Sequence, residues 1–185
     1  MQEDLCVETQ KSSLVFSERM TAEFEVYTRL LELLKRTNWQ IICASPPAGT
    51  NGRFRKCIFP RRKLGGIEKG PRDEVDLIAY DGEYLLIVEC KPRLSDSIRV
   101  RHDGVGDDYT KLKRIERSFS VDQLISMIYR ICGVRVEAKV AVTMTLAVGE
   151  VDRAVPPDMT VLELGARGFK VWKNENLAER LGLHS

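Results

Sequence analysis

The 185-residue chain lacks a long apolar run, a CxxC cysteine pair and a glycine-rich phosphate loop. A helix that crosses a bilayer needs about 20 predominantly apolar residues, so the sequence predicts no membrane association. Closely spaced cysteines would be needed for a zinc site, and a phosphate loop for nucleotide hydrolysis. These absences direct attention to polar side chains as the source of any function.

Cysteine is sparse and irregularly placed. An odd number of cysteines without regular spacing favours free thiols in a reducing cytosol over a disulfide framework. The N-terminus is polar and acidic, unlike a secretory signal. We therefore predict a cytoplasmic protein with free thiols. The five cysteines are Cys6, Cys43, Cys57, Cys90 and Cys132.

Length and pattern predict one domain, with a tail at residues 1–16 and a single domain at 17–185. The order of helix, strands, helices and strands predicts the α/β class, with a central mixed sheet flanked by helices. Residues 45–71 and 93–110, which are rich in polar residues and glycine, are predicted to be loops, with a strand at 56–59 as an alternative within the first. Periodicity and end signals predict helices at 17–36, within 109–117, at 121–132 and at 174–181, and strands at 39–44, 134–148, 160–164 and 169–172.

The strongest local signal is the segment EVDLIAYDGEYLLIVECK at residues 74–91. Its two apolar runs flank Asp81-Gly82, which is typical of a two-residue hairpin turn. That turn would pair Asp76 with Ile87 and so place Asp76 diagonal to Glu89 on one face. Two carboxylates at that separation can share a divalent cation, which would offset their repulsion.

Lys91 follows Glu89 on the same face of the second strand. Its ammonium could hold a phosphate oxygen or stabilise an attacking hydroxide. The alternative is a structural salt bridge between Lys91 and one of the carboxylates.

An EVD sequence followed by an apolar strand that ends in ECK resembles the core of the PD-(D/E)XK nuclease superfamily. The resemblance implies a restriction endonuclease-like three-layer sandwich, as in restriction enzymes and archaeal Holliday junction resolvases. It also implies that Asp76 and Glu89 bind Mg²⁺, or Mn²⁺ as a substitute, and that Lys91 assists the attacking water. The Cys90 backbone carbonyl would be a further ligand. Val75 stands where the superfamily name has proline.

The same resemblance implies an extra acidic residue on the helix before the sheet. Glu23 lies within the apolar stripe of the predicted helix, whereas Glu25 and Glu32 point to solvent. A carboxylate on that stripe needs a partner or a metal, unless solvent or the helix dipole satisfies it. We therefore take Glu23 as the candidate.

Gln123 opens the helix predicted at 121–132. RecB-like members of the superfamily carry a QxxxY motif there, but Met127 stands where the tyrosine would be. Gln123 is a candidate substrate contact, and helix capping is the alternative.

Basic residues concentrate just before Asp76, where one acid, Glu68, accompanies eight lysines and arginines. Flexible basic segments beside a metal site suit contact with a phosphate backbone. A second basic group, at residues 111–117, is offset by nearby acids and is predicted to be solvated surface. The first group consists of Arg53, Arg55, Lys56, Arg61, Arg62, Lys63, Lys69 and Arg72.

Together these features predict an Mg²⁺-dependent endonuclease that acts on nucleic acid, with DNA as the expected substrate and metal-activated water as the nucleophile. A homodimer is expected, because cutting two strands needs two sites and the chain has one ExK motif. One alternative is a catalytically silent nucleic-acid-binding module with the same fold. Another is a purely structural α/β domain, which would leave Glu23 and the basic segment unexplained.

Overall fold

The computed structural model describes residues 22–45, 57–63, 66–98 and 107–183, without the side chains of 61–63 and 66–71. The predicted tail at 1–16 lies outside these residues. In the described part, no helix is long and apolar enough to cross a membrane.

A six-stranded mixed sheet forms the centre of the molecule. Its strands lie in the order β1-β4-β5-β6-β7-β8. The β5–β6 and β6–β7 pairs are parallel, and the other pairs are antiparallel. The remaining two strands, β2 and β3, pair separately as an antiparallel hairpin. The strands are β1 (Gln40–Ala44), β2 (Cys57–Lys63), β3 (Gly66–Val75), β4 (Leu77–Tyr80), β5 (Tyr84–Arg93), β6 (Ala141–Glu150), β7 (Thr160–Gly165) and β8 (Gly168–Trp172).

Helices cover both faces of this sheet, which confirms the predicted α/β class. On one face Leu112 of α3 and Ile128 of α4 belong to the same core as Ile87 of β5. On the other face Leu30 of α1 and Leu177 of α5 pack in the core that contains Leu86. The described helices are α1 (residues 22–36), α2 (Leu94–Ser97), α3 (Asp108–Ser118), α4 (Val121–Cys132) and α5 (Glu175–Arg180).

The central strand β5 is buried on both faces because it is apolar on both. Leu85 and Ile87 face α3 and α4, while Leu86 and Val88 face α1, and all four are fully buried. A strand of this kind belongs inside a covered sheet. The carboxyl end of β5 carries Glu89 to the boundary of the helical layers.

Three predicted segments differ from the structure. Residues 45–71 are not one long loop but contain the β2–β3 hairpin, in which β2 confirms the alternative of a strand near 56–59 and Phe59 is buried against Phe119. Residues 93–110 include the short helix α2. The strand predicted from 134 begins only at Ala141, because Ala141 pairs with Tyr84, the first residue of β5. The apolar residues before it are buried without joining the ladder, as Val136 and Val140 show.

Cys43 and Cys57 form a disulfide between β1 and β2, with their Cα atoms 5.8 Å apart. The prediction of five free thiols is therefore wrong. The hairpin folds back beside the end of β1, and this brings together two cysteines whose sequence spacing gave no signal. Among the described cysteines, Cys90 is free and buried, and Cys132 is free and partly buried.

Candidate active site

The β4–β5 hairpin positions the site, but its turn differs from the predicted one. Tyr80 pairs with Leu85, so the two central turn residues are Gly82 and Glu83. Asp81 instead closes the turn, since its Oδ1 accepts hydrogen bonds from the N–H groups of Glu83 at 2.9 Å and Tyr84 at 2.7 Å. Gly82 has a φ of 104°, which glycine adopts without steric cost. The register therefore moves by two residues.

A two-residue shift keeps every side chain on its predicted face. Ile87 pairs with Ile78 rather than with Asp76, and Leu77–Val88 is the last pair of the ladder, with Asp76 one residue beyond it. Asp76 lies at the bend between β3 and β4, where its N–H donates to the Val88 carbonyl at 3.1 Å. Its Oδ2 accepts a hydrogen bond from the Cys90 N–H at 2.7 Å. Asp76 is thus fixed against β5.

Glu89 is 1% exposed and faces helix α3. Lys111 of that helix places its Nζ 2.7 Å from Glu89 Oε1. The ammonium and the Glu89 carboxylate thus form a buried ion pair. Lys111 Nζ also donates to the Glu74 carbonyl at 3.0 Å and lies 3.2 Å from Asp108 Oδ1.

Lys91 links the two helical layers at the end of β5. Its Nζ donates to Glu23 Oε1 of α1 at 3.0 Å and lies 3.7 Å from Asp108 Oδ2 of α3. Glu25 and Glu32 are exposed, as the helical pattern predicted. Of the acids on α1, Glu23 is therefore brought to the site. The set Glu23, Asp76, Glu89, Lys91, Asp108 and Lys111 is called the carboxylate–lysine cluster below.

The carboxylate–lysine cluster contains four carboxylates and two ammonium groups, a formal excess of two negative charges. Burial raises the pKa of Asp76 to about 6, although the Cys90 N–H and the lysines act in the opposite direction. Burial, together with the charge of Asp76, raises the pKa of Glu89 well above its usual value. For both carboxylates, the ionised form is therefore less favourable than it would be in water.

The pKa values of the two lysines are raised as well, which for a lysine favours the charged form. Burial alone would lower the pKa of Lys91, but Asp108, Glu23 and Asp76 raise it on balance. Carboxylates raise the pKa of Lys111 against burial in the same way, with Glu89 contributing most. Both ammonium groups therefore stay protonated at neutral pH.

Within the described residues, no three His, Cys, Asp or Glu side chains are grouped so that they could hold a metal ion. Mg²⁺, however, commonly uses one or two carboxylates and completes its coordination with water and substrate phosphate. Asp76 and Glu89 fit that requirement on two observations. The cluster has a formal excess of two negative charges, and Glu89 is buried beside the charge of Asp76.

Cys90 contributes through its main chain, because its side chain packs in the core under α1. Its N–H orients Asp76. The Cys90 carbonyl as a metal ligand stays a prediction.

Two members of the cluster, Asp108 and Lys111, were missed by sequence reasoning. The second basic group was predicted to be solvated surface, and for Lys111 and Arg114 this is wrong. The Arg114 guanidinium donates two hydrogen bonds, of 2.9 and 2.7 Å, to the carboxylate of Asp73, which is 4% exposed. A usable signal was the spacing of Asp108, Lys111 and Ile115, which share one helix face.

Of the other two members of that group, Arg117 behaves as predicted, whereas the Lys113 side chain is only 12% exposed and the prediction of solvated surface is wrong for it. Lys113 pairs with Glu116 and Asp158, both largely exposed, and Arg117 is exposed.

The basic segment is only partly described. Arg53, Arg55 and Lys56 lie outside the described residues, as do the side chains of Arg61, Arg62, Lys63 and Lys69. Their phosphate contacts stay a prediction, as does that of Arg72, which is exposed on β3. Strand β3 runs from this hairpin to Val75, the residue before Asp76. The main chain thus carries the basic segment directly to the site.

Gln123 caps helix α4. Its side-chain oxygen accepts from the Ser120 N–H at 3.1 Å, and its own N–H donates to Ser120 Oγ at 3.3 Å. These reciprocal bonds form a capping box. The structure shows the capping alternative, and a substrate contact by Gln123 stays a prediction.

A scan against protein-family models finds no match for this chain, and searches of curated proteins and of solved structures find none either. The geometry of the carboxylate–lysine cluster is therefore the basis on which a function can be proposed.

Proposed function

We propose that the protein is a metal-dependent nuclease of the PD-(D/E)XK type that hydrolyses phosphodiester bonds in DNA. The observation that supports this proposal is the meeting of Asp76 and Glu89 at the open end of the β4–β5 hairpin, where the Cys90 N–H holds the Asp76 carboxylate against β5 and the charge of Asp76 raises the pKa of Glu89. Lys91 follows two residues later and joins the same cluster of charges. The three side chains of the ExK pattern thus converge at one point.

Each side chain has a role that follows from its surroundings. Asp76, oriented by the Cys90 N–H, and Glu89 would hold a divalent cation. When bound, such a cation lowers the pKa of a water molecule and neutralises developing charge on phosphate. Glu23 and Asp108 hold Lys91 beside these carboxylates.

The raised pKa of Lys91 favours a charge-stabilising role over that of a general base. A general base must release its proton near neutral pH, whereas a charge stabiliser must keep it. Lys91 keeps its proton, because Asp108, Glu23 and Asp76 surround it. Its proposed role is therefore to stabilise negative charge on the phosphate or the attacking hydroxide.

A catalytically silent nucleic-acid-binding module is the second candidate. The observation in its favour is the ion pair between Lys111 and Glu89, which partly neutralises the cluster without any metal. Such a module would bind DNA through its basic segment with strong salt dependence and would cleave none of it.

A cleavage assay separates the two candidates. The protein is incubated with Mg²⁺ or Mn²⁺ and with plasmid, single-stranded and four-way-junction DNA. Asp76→Ala is run alongside Asp122→Ala, which alters an exposed aspartate of α4. We expect cleavage by the parent chain and by Asp122→Ala, and none by Asp76→Ala. Cleavage that survives Asp76→Ala would overturn the site, and salt-sensitive binding without cleavage would favour the silent module.

A further inference from the structure

Helix α3 carries a lysine in the position where a cation on Glu89 would lie. We propose that Lys111 is an internal stand-in for the divalent cation, which competes with the metal for Glu89 and so sets how tightly the metal binds. This inference rests on the proposed metal site at Asp76 and Glu89. It assigns Lys111 a role in metal affinity, apart from the three residues of the ExK pattern.

The contact between Lys111 and Glu89 has the features of a displaceable pair. The ammonium lies 2.7 Å from Glu89 Oε1, closer than its other charged partner, Asp108, at 3.2 Å. Glu89 is 1% exposed, so its oxygens are shielded from water and need a positive charge nearby. A divalent cation and the ammonium would both be attracted to the same oxygen.

Lys111 has partners that it can keep after leaving Glu89. Asp108 Oδ1 lies 3.2 Å from its Nζ, and the Glu74 carbonyl accepts a hydrogen bond from it at 3.0 Å. Asp108 is on the same helix three residues earlier, so this pair does not depend on the sheet. Displacement from Glu89 would therefore not leave a buried ammonium without a counter-charge.

Lys91 does not compete in the same way. The carboxylates in contact with its ammonium are Glu23 and Asp108, on the two helices that flank the end of β5. The two lysines of the cluster thus have separate tasks, with Lys91 held by the helices and Lys111 held by Glu89.

The test is a calorimetric titration of the metal-free full chain with Mn²⁺, which needs no substrate and no cleavage. Lys111→Gln removes the competing charge, so we expect Mn²⁺ to bind about tenfold tighter or more. Lys111→Arg keeps the charge and is expected to bind Mn²⁺ within about threefold of the parent chain. Lys113→Gln is the matched control, since Lys113 lies on the same helix but pairs with Glu116 and Asp158.

A second variant separates competition from general damage to the site. Asp108→Asn removes a negative charge and is expected to weaken Mn²⁺ binding, in the direction opposite to Lys111→Gln. Simple loss of structure would weaken binding in both variants. If Lys111→Gln unfolds without metal, refolding on addition of Mn²⁺ supports the proposal, and failure to refold overturns it.

The possible failures are distinguishable. Unchanged or weaker Mn²⁺ binding by Lys111→Gln, with a parent chain that binds Mn²⁺ and cleaves DNA, overturns the stand-in role and leaves the proposed function intact. A parent chain that neither binds Mn²⁺ nor cleaves any substrate overturns both.

Discussion

The two ends of the β4–β5 hairpin treat their carboxylates in opposite ways. At the turn, Asp81 Oδ2 accepts from Arg180 at 2.7 Å, and Glu83 also pairs with Arg180. Burial acts against ionisation there, but the Glu83 N–H and Arg180 outweigh it and lower the pKa of Asp81. At the open end, burial prevails and raises the pKa of Asp76 to about 6.

The carboxylates at the turn therefore stabilise the fold, whereas those at the open end are suited to binding the proposed cation. The turn end supplies each carboxylate with donors, so ionisation there favours the folded state. The open end brings two carboxylates together with too little positive charge, which costs stability and suits a cation ligand. Within one pair of strands, the turn end thus stabilises the fold, whereas the open end is destabilised where the proposed cation would bind.

The largest expected effect comes from a matched pair of glutamates on this hairpin. Glu89→Gln is expected to reduce metal-dependent DNA cleavage by about 10³-fold or more, because it removes a metal ligand. Glu83→Gln makes the same change at the exposed turn and is expected to leave the rate within about twofold of the parent chain. Initial rates under identical Mg²⁺ and DNA concentrations check this. Equal losses in the two variants would refute the separation of roles.

A substitution at the site is expected to raise the stability of the metal-free protein, although the same site is expected to be needed for cleavage. Asp76→Asn keeps an acceptor for the Cys90 N–H but removes the strained charge. It is therefore expected to stabilise the metal-free protein by about 1–3 kcal/mol at pH 7.5. For a chain of this size that corresponds to a rise in Tm of roughly 2–4 °C per kcal/mol. Thermal unfolding in EDTA measures it, and a lower Tm would show that Asp76 stabilises the fold.

The two ends of the hairpin should also differ in how their carboxylates make stability depend on pH. Asp76 binds its proton more tightly in the folded state, so the stability of the metal-free protein should rise as pH falls through about 6. Glu89 acts in the same direction. Asp81 has a lowered folded pKa, so its contribution should be lost only as pH falls below its ordinary value of 3.8. Urea unfolding between pH 7.5 and 4 measures the slope, which Asp76→Asn should reduce.

The smallest effect is expected at Arg180, which supports the turn end. Arg180→Ala removes the ion pairs with Asp81 and Glu83 and the contact with the Tyr84 ring, 4.5 Å from its guanidinium carbon. Because these groups are partly exposed, a loss of about 1 kcal/mol is expected. Urea unfolding at pH 7.5 checks it, with DNA cleavage unchanged as the second readout. Impaired cleavage would mean that the two ends of the hairpin are coupled.

Much of this arrangement could be predicted from local sequence. The apolar strand from Leu85 to Val88 predicted a central position, and period-two alternation placed Asp76 and Glu89 on one face. The turn was misplaced because the Asp81 side chain takes over the hydrogen bonds of the turn. The error left Asp76 and Glu89 on their predicted face, since a shift of two residues preserves the face.

Long-range contacts could not be read in the same way. Lys111 contacts Glu89 only because α3 packs on the face of the sheet that carries Ile87. The disulfide between Cys43 and Cys57 likewise depends on how the β2–β3 hairpin returns to β1. Helix-face spacing could place Lys111 beside the buried side of α3, but its contact with Glu89 depends on tertiary packing, and cysteine spacing contains no local signal for the disulfide.

The register of β5 has a consequence for the order of folding. Its contacts with β4 are local, since Leu77 meets Val88, whereas its contacts with β6 join residues as distant as Tyr84 and Ala141. Local pairings close faster than distant ones, because less loop entropy is lost. Asp76 and Glu89 therefore meet early, before α3 delivers Lys111. The repulsion between them therefore belongs to the nascent hairpin, and its relief waits for the docking of α3.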